Sequence, residues 1–244
     1  MALLYYATNG TDWNIATDWL SPEHECAWHT TADAYPCQDD LDDATIEFRQ
    51  YSALHLKDNE LKGTIPPEMF QLLPALQRID LSENQGLTGA LPTEVGILRR
   101  LEHVILSNTH LEGSIPFELY ALTQLQSLDL SFSKFGGALQ SQIGALSELQ
   151  LFNIGNNAGF AGDLPTELGL LTLLTKLSLE RSQFGGSLLT EFGRLTQLKL
   201  FHLHKNRFSG PIPTEVGNMK ALEDLRLYSN RLTGPMPSEI GELS

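Results

Sequence analysis

The sequence has few basic residues, only two cysteines and no long apolar segment. Lys and Arg number 16 against 30 Asp and Glu, whereas a protein that binds nucleic acid needs a dominantly basic surface. No apolar run reaches the roughly 18 residues that a membrane-spanning helix requires. Phosphate-binding loops, the G-x-S-x-G elbow, the H-E-x-x-H zinc motif and the kinase motifs are also absent. We therefore expect a chain that is not an enzyme, does not bind nucleic acid, and has neither a membrane span nor a cofactor.

The charge divides the chain into a small acidic head and a nearly balanced body. Residues 1–50 hold ten acidic side chains and one basic side chain, whereas residues 51–244 hold twenty and fifteen. Hydrophobic residues make up 41% of the chain. This fraction permits a buried core and excludes a disordered chain.

The body, residues 51–244, repeats the phrase L-x-x-L-x-L-x-x-N-x-L-x-G-x-I-P eight times. Successive N positions are 24 or 25 residues apart. We number the repeats one to eight by these positions, which are Asn59, Asn84, Thr109, Ser133, Asn157, Ser182, Asn206 and Asn230. Such a period is typical of a solenoid, in which stacked repeats bury the leucines that a single repeat cannot bury alone.

Within one repeat the residues predict a strand, a turn and a short helical segment. In repeat two, Ile79 and Leu81 alternate with polar residues, which is the period of a strand with one buried face. Gly89 permits a positive φ and Leu91-Pro92 favours extended backbone, and residues 93–100 then favour a short helix. The predicted fold class is α/β: a right-handed superhelical solenoid with a parallel concave β-sheet and a helical or 3-10 convex side.

The second half of the repeat, L-x-G-x-I-P, resembles that of plant-type leucine-rich repeats. Clear examples are residues 61–69, 111–119, 208–216 and 232–240. The resemblance covers residues 51–244 and implies a second, shorter strand near the T-G-x-I-P phrase. Repeats four and six depart from the pattern, because Gln140 and Leu189 replace the proline. The same two repeats carry serine at the N position, so we expect a locally different rim there.

The head, residues 1–50, resembles the N-terminal cap of such proteins, in which a helix, tryptophans and a cysteine pair cover the first open edge of the core. Its wording also resembles leucine-rich-repeat proteins of diatoms and other algae. Cys26 and Cys37 could form a disulfide, remain two buried thiols or act as ligands. We favour the disulfide, because both lie in the cap segment and none lies in the body.

A disulfide implies an oxidising compartment, and Asn9 begins a glycosylation sequon consistent with secretion. We therefore expect an extracellular or cell-surface location, although this chain shows no signal peptide. No C-terminal cap follows repeat eight. We expect Leu225, Leu227, Leu232 and Ile240 to lie near an apolar edge, where another domain or chain could pack.

The concave face changes sign along the solenoid. Residues 174–244 hold nine basic and seven acidic side chains, whereas the chain as a whole is acidic. Because side chains that flank the buried strand leucines point to the concave side, we expect a ligand-binding surface there for an anionic partner. Its candidate residues are Lys176, Arg181, His202, His204, Lys205, Arg226 and Tyr228.

The two histidines of this surface have the spacing i, i+2 on one strand, but no third ligand is obvious, so we expect no metal site. We expect them instead to strengthen anion binding as the pH falls toward 6, where imidazole gains charge.

Plant-type repeats also form the ectodomains of receptor-like kinases and receptor-like proteins, and the polygalacturonase-inhibiting proteins. The resemblance implies a non-enzymatic recognition module that binds a protein, a peptide or a glycan on its concave face. Two alternatives stay open: an inhibitor of a cell-wall hydrolase, and a scaffold subunit of a larger assembly. Ice binding, also known for this repeat class, would favour regular Thr or Asn rows, and the exposed strand column that begins with His55 and Asp80 is irregular.

The cap yields a first testable expectation. If Cys26 and Cys37 are joined, thiol titration of the unfolded, unreduced protein finds no free thiol, and reduction releases two. A bond across so short a loop stabilises by about 3 kcal/mol in the chain-entropy model. Two titratable thiols before reduction would contradict the disulfide and remove the main argument for secretion.

Overall fold

The computed structural model describes residues 52–242. The head therefore lies outside the described residues, and the expectations for Cys26, Cys37 and Asn9 stay predictions. Within residues 52–242, no helix is long and apolar enough to cross a membrane.

One parallel sheet lines the concave side, and its strands follow one another in sequence order. Neighbouring strands pair in register; Leu54, for example, lies opposite Ile79, and Ile79 opposite Val104. Equivalent residues of all repeats consequently form columns across the sheet, about 4.8 Å apart from one strand to the next. The strands are Ala53–His55, Arg78–Asp80, His103–Ile105, Ser127–Asp129, Leu151–Asn153, Lys176–Ser178, Leu200–His202 and Asp224–Arg226.

A second set of short parallel strands follows the N positions, as the family resemblance implies. Six of them form one sheet: Lys62–Gly63, Gly86–Ala90, His110–Gly113, Lys134–Gly137, Gly159–Asp163 and Gln183–Gly185. The last two, Ser209–Gly210 and Arg231–Leu232, form a separate pair that is joined to repeat six by a bridge between Ser187 and Ser209. The six-stranded sheet thus runs without a break through repeat four and ends at repeat six, where Leu189 replaces the proline.

The convex side carries one short helical element per repeat. Repeat one has the α-helix Glu68–Leu72, and the other repeats have 3-10 helices. Pro92 at the start of the second element is extended, with φ −62° and ψ 143°, because its ring fixes φ near this value. The 3-10 helices are Thr93–Ile97, Phe117–Ala121, Ser141–Ala145, Thr166–Leu170, Thr190–Arg194, Thr214–Asn218 and Ser238–Glu242.

The core lies between the concave sheet and the convex helices. The strand leucines and their equivalents are fully buried, for instance Leu128, Phe152 and Leu177. The phenylalanines that follow several N positions also fill the core, and the rings of Phe160 and Phe184 stack with their centroids 5.9 Å apart. These features confirm the α/β solenoid predicted from the repeat.

Glycines let neighbouring convex helices approach closely. A Cβ added at Gly96 would lie 2.5 Å from the Cβ of Glu118, and one at Gly169 would lie 2.5 Å from that of Glu191; real Cβ atoms never come so near. Repeat three has Tyr120 at this position. The helices of repeats three and four accordingly pack less closely than the other neighbouring 3-10 helices.

The wider spacing leaves a cavity of about 360 Å³ on the convex side, lined among others by Ile97, Phe117 and Ala145. The Tyr120 side chain is itself buried, and this burial raises the pKa of its hydroxyl to about 12, against a smaller opposing effect of a hydrogen bond from the backbone of Gln140.

The asparagine side chain at the N position of repeats two, five, seven and eight ties the repeat to the one before it. Asn157 donates from Nδ2 to the carbonyl oxygens of Leu130, at 2.8 Å, and Ile154, at 3.0 Å. Its Oδ1 accepts from the backbone N–H of Phe135 at 3.0 Å. Ser182 makes one hydrogen bond, at 3.5 Å to the carbonyl of Glu180. The tie between repeats is therefore strong at asparagine and weak at this serine.

Asn157→Ala should lower the free energy of unfolding by about 3 kcal/mol, because it leaves two buried carbonyls and one N–H without partners. Ser182→Ala, the matched control at the same position of the next repeat, should cost less than about 1 kcal/mol. Urea unfolding followed by circular dichroism measures both. Equal losses for the two variants would contradict the stronger tie between repeats at Asn157 than at Ser182.

Candidate functional site

Three columns of side chains lie side by side on the concave face of repeats six to eight, where the sequence predicts the ligand-binding surface. Their side chains are Lys176, Leu200 and Asp224 in the first column, Ser178, His202 and Arg226 in the second, and Glu180, His204 and Tyr228 in the third. The structure thus brings the candidate residues together on one face. It also divides them into side chains that are already bound to one another and side chains that have no partner.

The Asp224 carboxylate binds two of the predicted ligand-binding side chains, His202 and Arg226. Its Oδ2 lies 2.9 Å from Nε2 of His202 and 2.7 Å from Nη2 of Arg226, and its Oδ1 accepts from Nε of Arg226 at 3.1 Å. The bond from Arg226 is the main cause of a lowered pKa at the Asp224 carboxyl, and it raises the pKa of the guanidinium in turn. A two-point pair of this kind is strong and directional. Arg226 and His202 therefore bind the same carboxylate, that of Asp224, and are not available to a ligand.

His204 lies on the concave face, as expected, but it is covered. The ring of Tyr228 stacks on it with the centroids 4.5 Å apart and the planes at 24°, and His204 is only 6% exposed. Burial lowers the pKa of His204, opposed by the nearby Glu180. The lowered pKa means that His204 gains charge at a lower pH than an exposed imidazole does, so it contributes less to anion binding than the sequence suggested.

Glu180 also belongs to this surface, although it is not among the predicted binding residues. Its carboxylate lies against Gly155, where an added Cβ would be 2.6 Å from Cδ, and its Oε1 accepts from Asn156 at 3.1 Å. Its Oε2, together with Oγ of Ser178 and Nδ1 of His204, is buried without a hydrogen-bond partner. The glycine in the third column of repeat five is the sequence signal for this arrangement, since only glycine leaves room for the carboxylate.

Three of the predicted cations have no partner. Lys176 is half-buried, Arg181 and Lys205 are exposed, and none of the three forms an ion pair with any residue in 52–242. Glu223, the remaining nearby acid, is paired with Lys199 at 3.0 Å. The positive charge available to a ligand is consequently concentrated on Lys176, Arg181 and Lys205.

Arg181 and Lys205 belong to a row that the sequence did not reveal. In every repeat the residue directly before the N position has a positive φ, between 52° and 63°. The backbone holds this conformation because its N–H bonds to the next repeat, as Arg181 does to the carbonyl of His204 at 3.0 Å. We call these residues the rim row: Asp58, Glu83, Asn108, Phe132, Asn156, Arg181, Lys205 and Ser229.

Within residues 52–242, no three His, Cys, Asp or Glu side chains lie close enough together to hold a metal ion.

The comparisons with known proteins agree with this architecture. The family model described as Leucine Rich Repeat matches residues 221–243, and no curated protein matches the chain. The structure is similar to that of the plant peptide hormone receptor RGFR1 in complex with RGF2, with a TM-score of 0.76 and 36% identity over 79% of this chain and 30% of that one. It is similar to the ectodomain of the Arabidopsis thaliana receptor kinase GASSHO1/SCHENGEN3 in complex with CASPARIAN STRIP INTEGRITY FACTOR 2, with a TM-score of 0.71 and 30% identity.

The second match covers 79% of this chain and 26% of the receptor, so the chain spans less than a third of the length of both receptors. A plant ice-binding protein, 23% identical with a TM-score of 0.65 over 96% of this chain and 86% of that one, shares the fold alone. The recurring phrase, the stacked parallel sheets and these likenesses together identify the chain as a plant-type leucine-rich-repeat protein.

The covered histidine gives a test of the site's geometry. We expect NMR titration of His204 to give a pKa below 6.5, and Tyr228→Ala to raise it because the ring becomes solvated. Tyr228→Phe keeps the stacked ring and should leave the pKa unchanged. Because the native state disfavours the protonated form, stability should fall as the pH is lowered from 6.5 through the native pKa, and less so in Tyr228→Ala. A His204 pKa unmoved by Tyr228→Ala would contradict the stacking.

Proposed function

We propose that this chain is a recognition module that binds an extended, acidic peptide segment on the C-terminal half of its concave face. The observation that carries the proposal is that Lys176, Arg181 and Lys205 form no ion pair within residues 52–242, whereas the neighbouring Lys199, His202 and Arg226 contact Glu223 or Asp224. Arg and Lys are strong hydrogen-bond donors to carboxylates. The two solved receptors named above, whose structures hold peptide or factor ligands, support a peptide as the partner.

The shape of the surface suits an extended partner. The parallel sheet presents flat columns of side chains across repeats six to eight, and a solenoid of this kind offers a long curved surface rather than a closed pocket. Tyr228, 54% exposed and stacked on His204, adds a rigid aromatic contact at little cost in side-chain entropy. The cations would then supply charge, and the aromatic pair would supply contact area.

We further propose that the module works at the cell surface or outside the cell, as a non-enzymatic part of a receptor-like or secreted protein. Support comes from the likeness to a receptor ectodomain. A ligand that is a glycan rather than a peptide is an outcome of the experiments below.

The C-terminal edge supports a second proposal, the packing of another domain or chain there. Leu225 and Leu227 are half-buried, whereas Phe201 and Leu203, their equivalents in repeat seven, are buried. Covering this edge would bury apolar surface, and burial of about 100 Å² of it would contribute roughly 2.5 kcal/mol.

Arg181→Glu and Lys205→Glu should each weaken binding of acidic peptides at least tenfold, because each reverses a charge that has no ion-pair partner within residues 52–242. The ligands are peptides selected from a random library on the folded protein, and isothermal titration calorimetry gives their affinities. Arg100→Glu is the control, since Arg100 is exposed on the convex side. Arg99 is less suitable because its Nη1 donates to the carbonyl of Ala121 at 3.0 Å.

A larger loss of affinity in Arg100→Glu than in the two concave variants would show that the peptide does not bind the concave face. Selected peptides without acidic residues would contradict the proposed anionic partner.

A further inference from the structure

Phe132 is the one apolar member of the rim row. Its φ is 53°, in the left-handed region that is unfavourable for a bulky residue, and its side chain is 59% exposed. No ring contact joins it to another aromatic side chain in residues 52–242. The other seven members are polar and several are Asn, Asp or Ser, which suit such a turn. The fold therefore gains little from Phe132 and bears a strained backbone and an exposed aromatic ring.

Strained, exposed residues of this kind often serve a binding site, because the cost is recovered when a partner covers them. Phe132 lies in repeat four, two repeats before Arg181 and three before Lys205. With strands about 4.8 Å apart, Arg181 lies about 10 Å and Lys205 about 14 Å from Phe132 along the rim, measured between their backbone positions.

The side chains between and beside these three do not compete for an acidic ligand. Asn156, in repeat five, donates to Oε1 of Glu180 at 3.1 Å, and the same carboxylate lies against Gly155. Toward the N-terminus, Asn108 accepts from Gln85 at 3.3 Å, and Glu83 is paired with Lys57 at 3.3 Å. Negative charge on the rim row is thus compensated or confined to its far end, and the apolar member borders the two free cations.

We propose that Phe132, Arg181 and Lys205 form one linear recognition element for an extended peptide that carries an apolar residue over Phe132 and acidic residues over the cations. An extended chain in the polyproline II conformation rises about 3.1 Å per residue with three residues per turn, so 10 Å and 14 Å correspond to about three and four residues, and residues three apart lie on the same side. The motif is an apolar residue followed or preceded, three and four positions away, by Asp or Glu. This inference rests on the proposed function and specifies the partner's sequence.

The test uses the full 244-residue chain and synthetic peptides of about nine residues with blocked termini, so that no terminal charge contributes. One set carries Leu-x-x-Asp-Glu, a second carries the reversed order Glu-Asp-x-x-Leu, and a third has the same composition in scrambled order. Fluorescence anisotropy of labelled peptides should show one of the first two sets binding at least tenfold more tightly than the scrambled set. No binding of either ordered set, or equal binding of all three, would overturn the motif.

Phe132→Asn is the decisive variant, because Asn tolerates a positive φ. We expect it to weaken binding of the motif peptide at least tenfold while the melting temperature stays the same or rises. Ser229→Ala, a change in the same row outside the element, should leave binding unchanged. If Phe132→Asn lowers the melting temperature and leaves peptide affinity intact, the ring has a structural role and the inference is wrong.

A double-mutant cycle locates the acidic residues. Changing the peptide's Asp-Glu pair to Asn-Gln should lose affinity in the wild-type protein but lose little more in the double variant Arg181→Gln/Lys205→Gln. If the charge variants weaken library-selected peptides while Phe132→Asn has no effect, the proposed function stands and this inference falls. If none of these changes matters, both fall, and if an oligomer of galacturonic acid binds with the same dependence on all three side chains, the partner is a glycan and not a peptide.

Discussion

The hydrogen bonding of the N-position side chain is the constraint on which the rest of this molecule depends. An asparagine such as Asn84 binds the carbonyls of Leu56 and Leu81, in two different repeats, with one amide group. Chain direction and strand register are thereby fixed at the point where each strand ends. Because the register never slips, residues at equal positions of successive repeats become neighbours in space, and the chain can build a surface from residues that are about 24 positions apart in sequence.

The electrostatics of the concave face follow from these columns rather than from composition. An excess of basic residues over acidic ones describes the C-terminal third of the sequence, but each charge acts only with its nearest neighbours. Asp224 has Arg226 two residues away on its own strand and His202 one strand away, and its carboxylate binds both. Arg181 and Lys205 stand outside the columns, at the strand ends, and form no ion pair within residues 52–242.

The repeat arithmetic was sufficient to predict the solenoid, the concave and convex sides and the identity of the core residues, because leucine spacing and buried strand faces are local properties. It also placed the candidate side chains on one face. It did not predict the burial of His204, which depends on the ring of Tyr228 in the next repeat. Nor did it reveal the rim row, since a positive φ at Phe132 or Arg181 results from backbone hydrogen bonds between repeats and leaves no mark in residue type.

Tyr120 has a mechanical consequence for the solenoid. The strands of repeats three and four keep their paired register, with Ile105 opposite Asp129, while the bulky ring holds the helices behind them apart. Material added only to the outer edge of a stack increases its curvature at that level, as a wedge does between bricks of an arch. We therefore expect residue 120 to set a local bend, with Phe132 on its inner side at the first repeat beyond Tyr120.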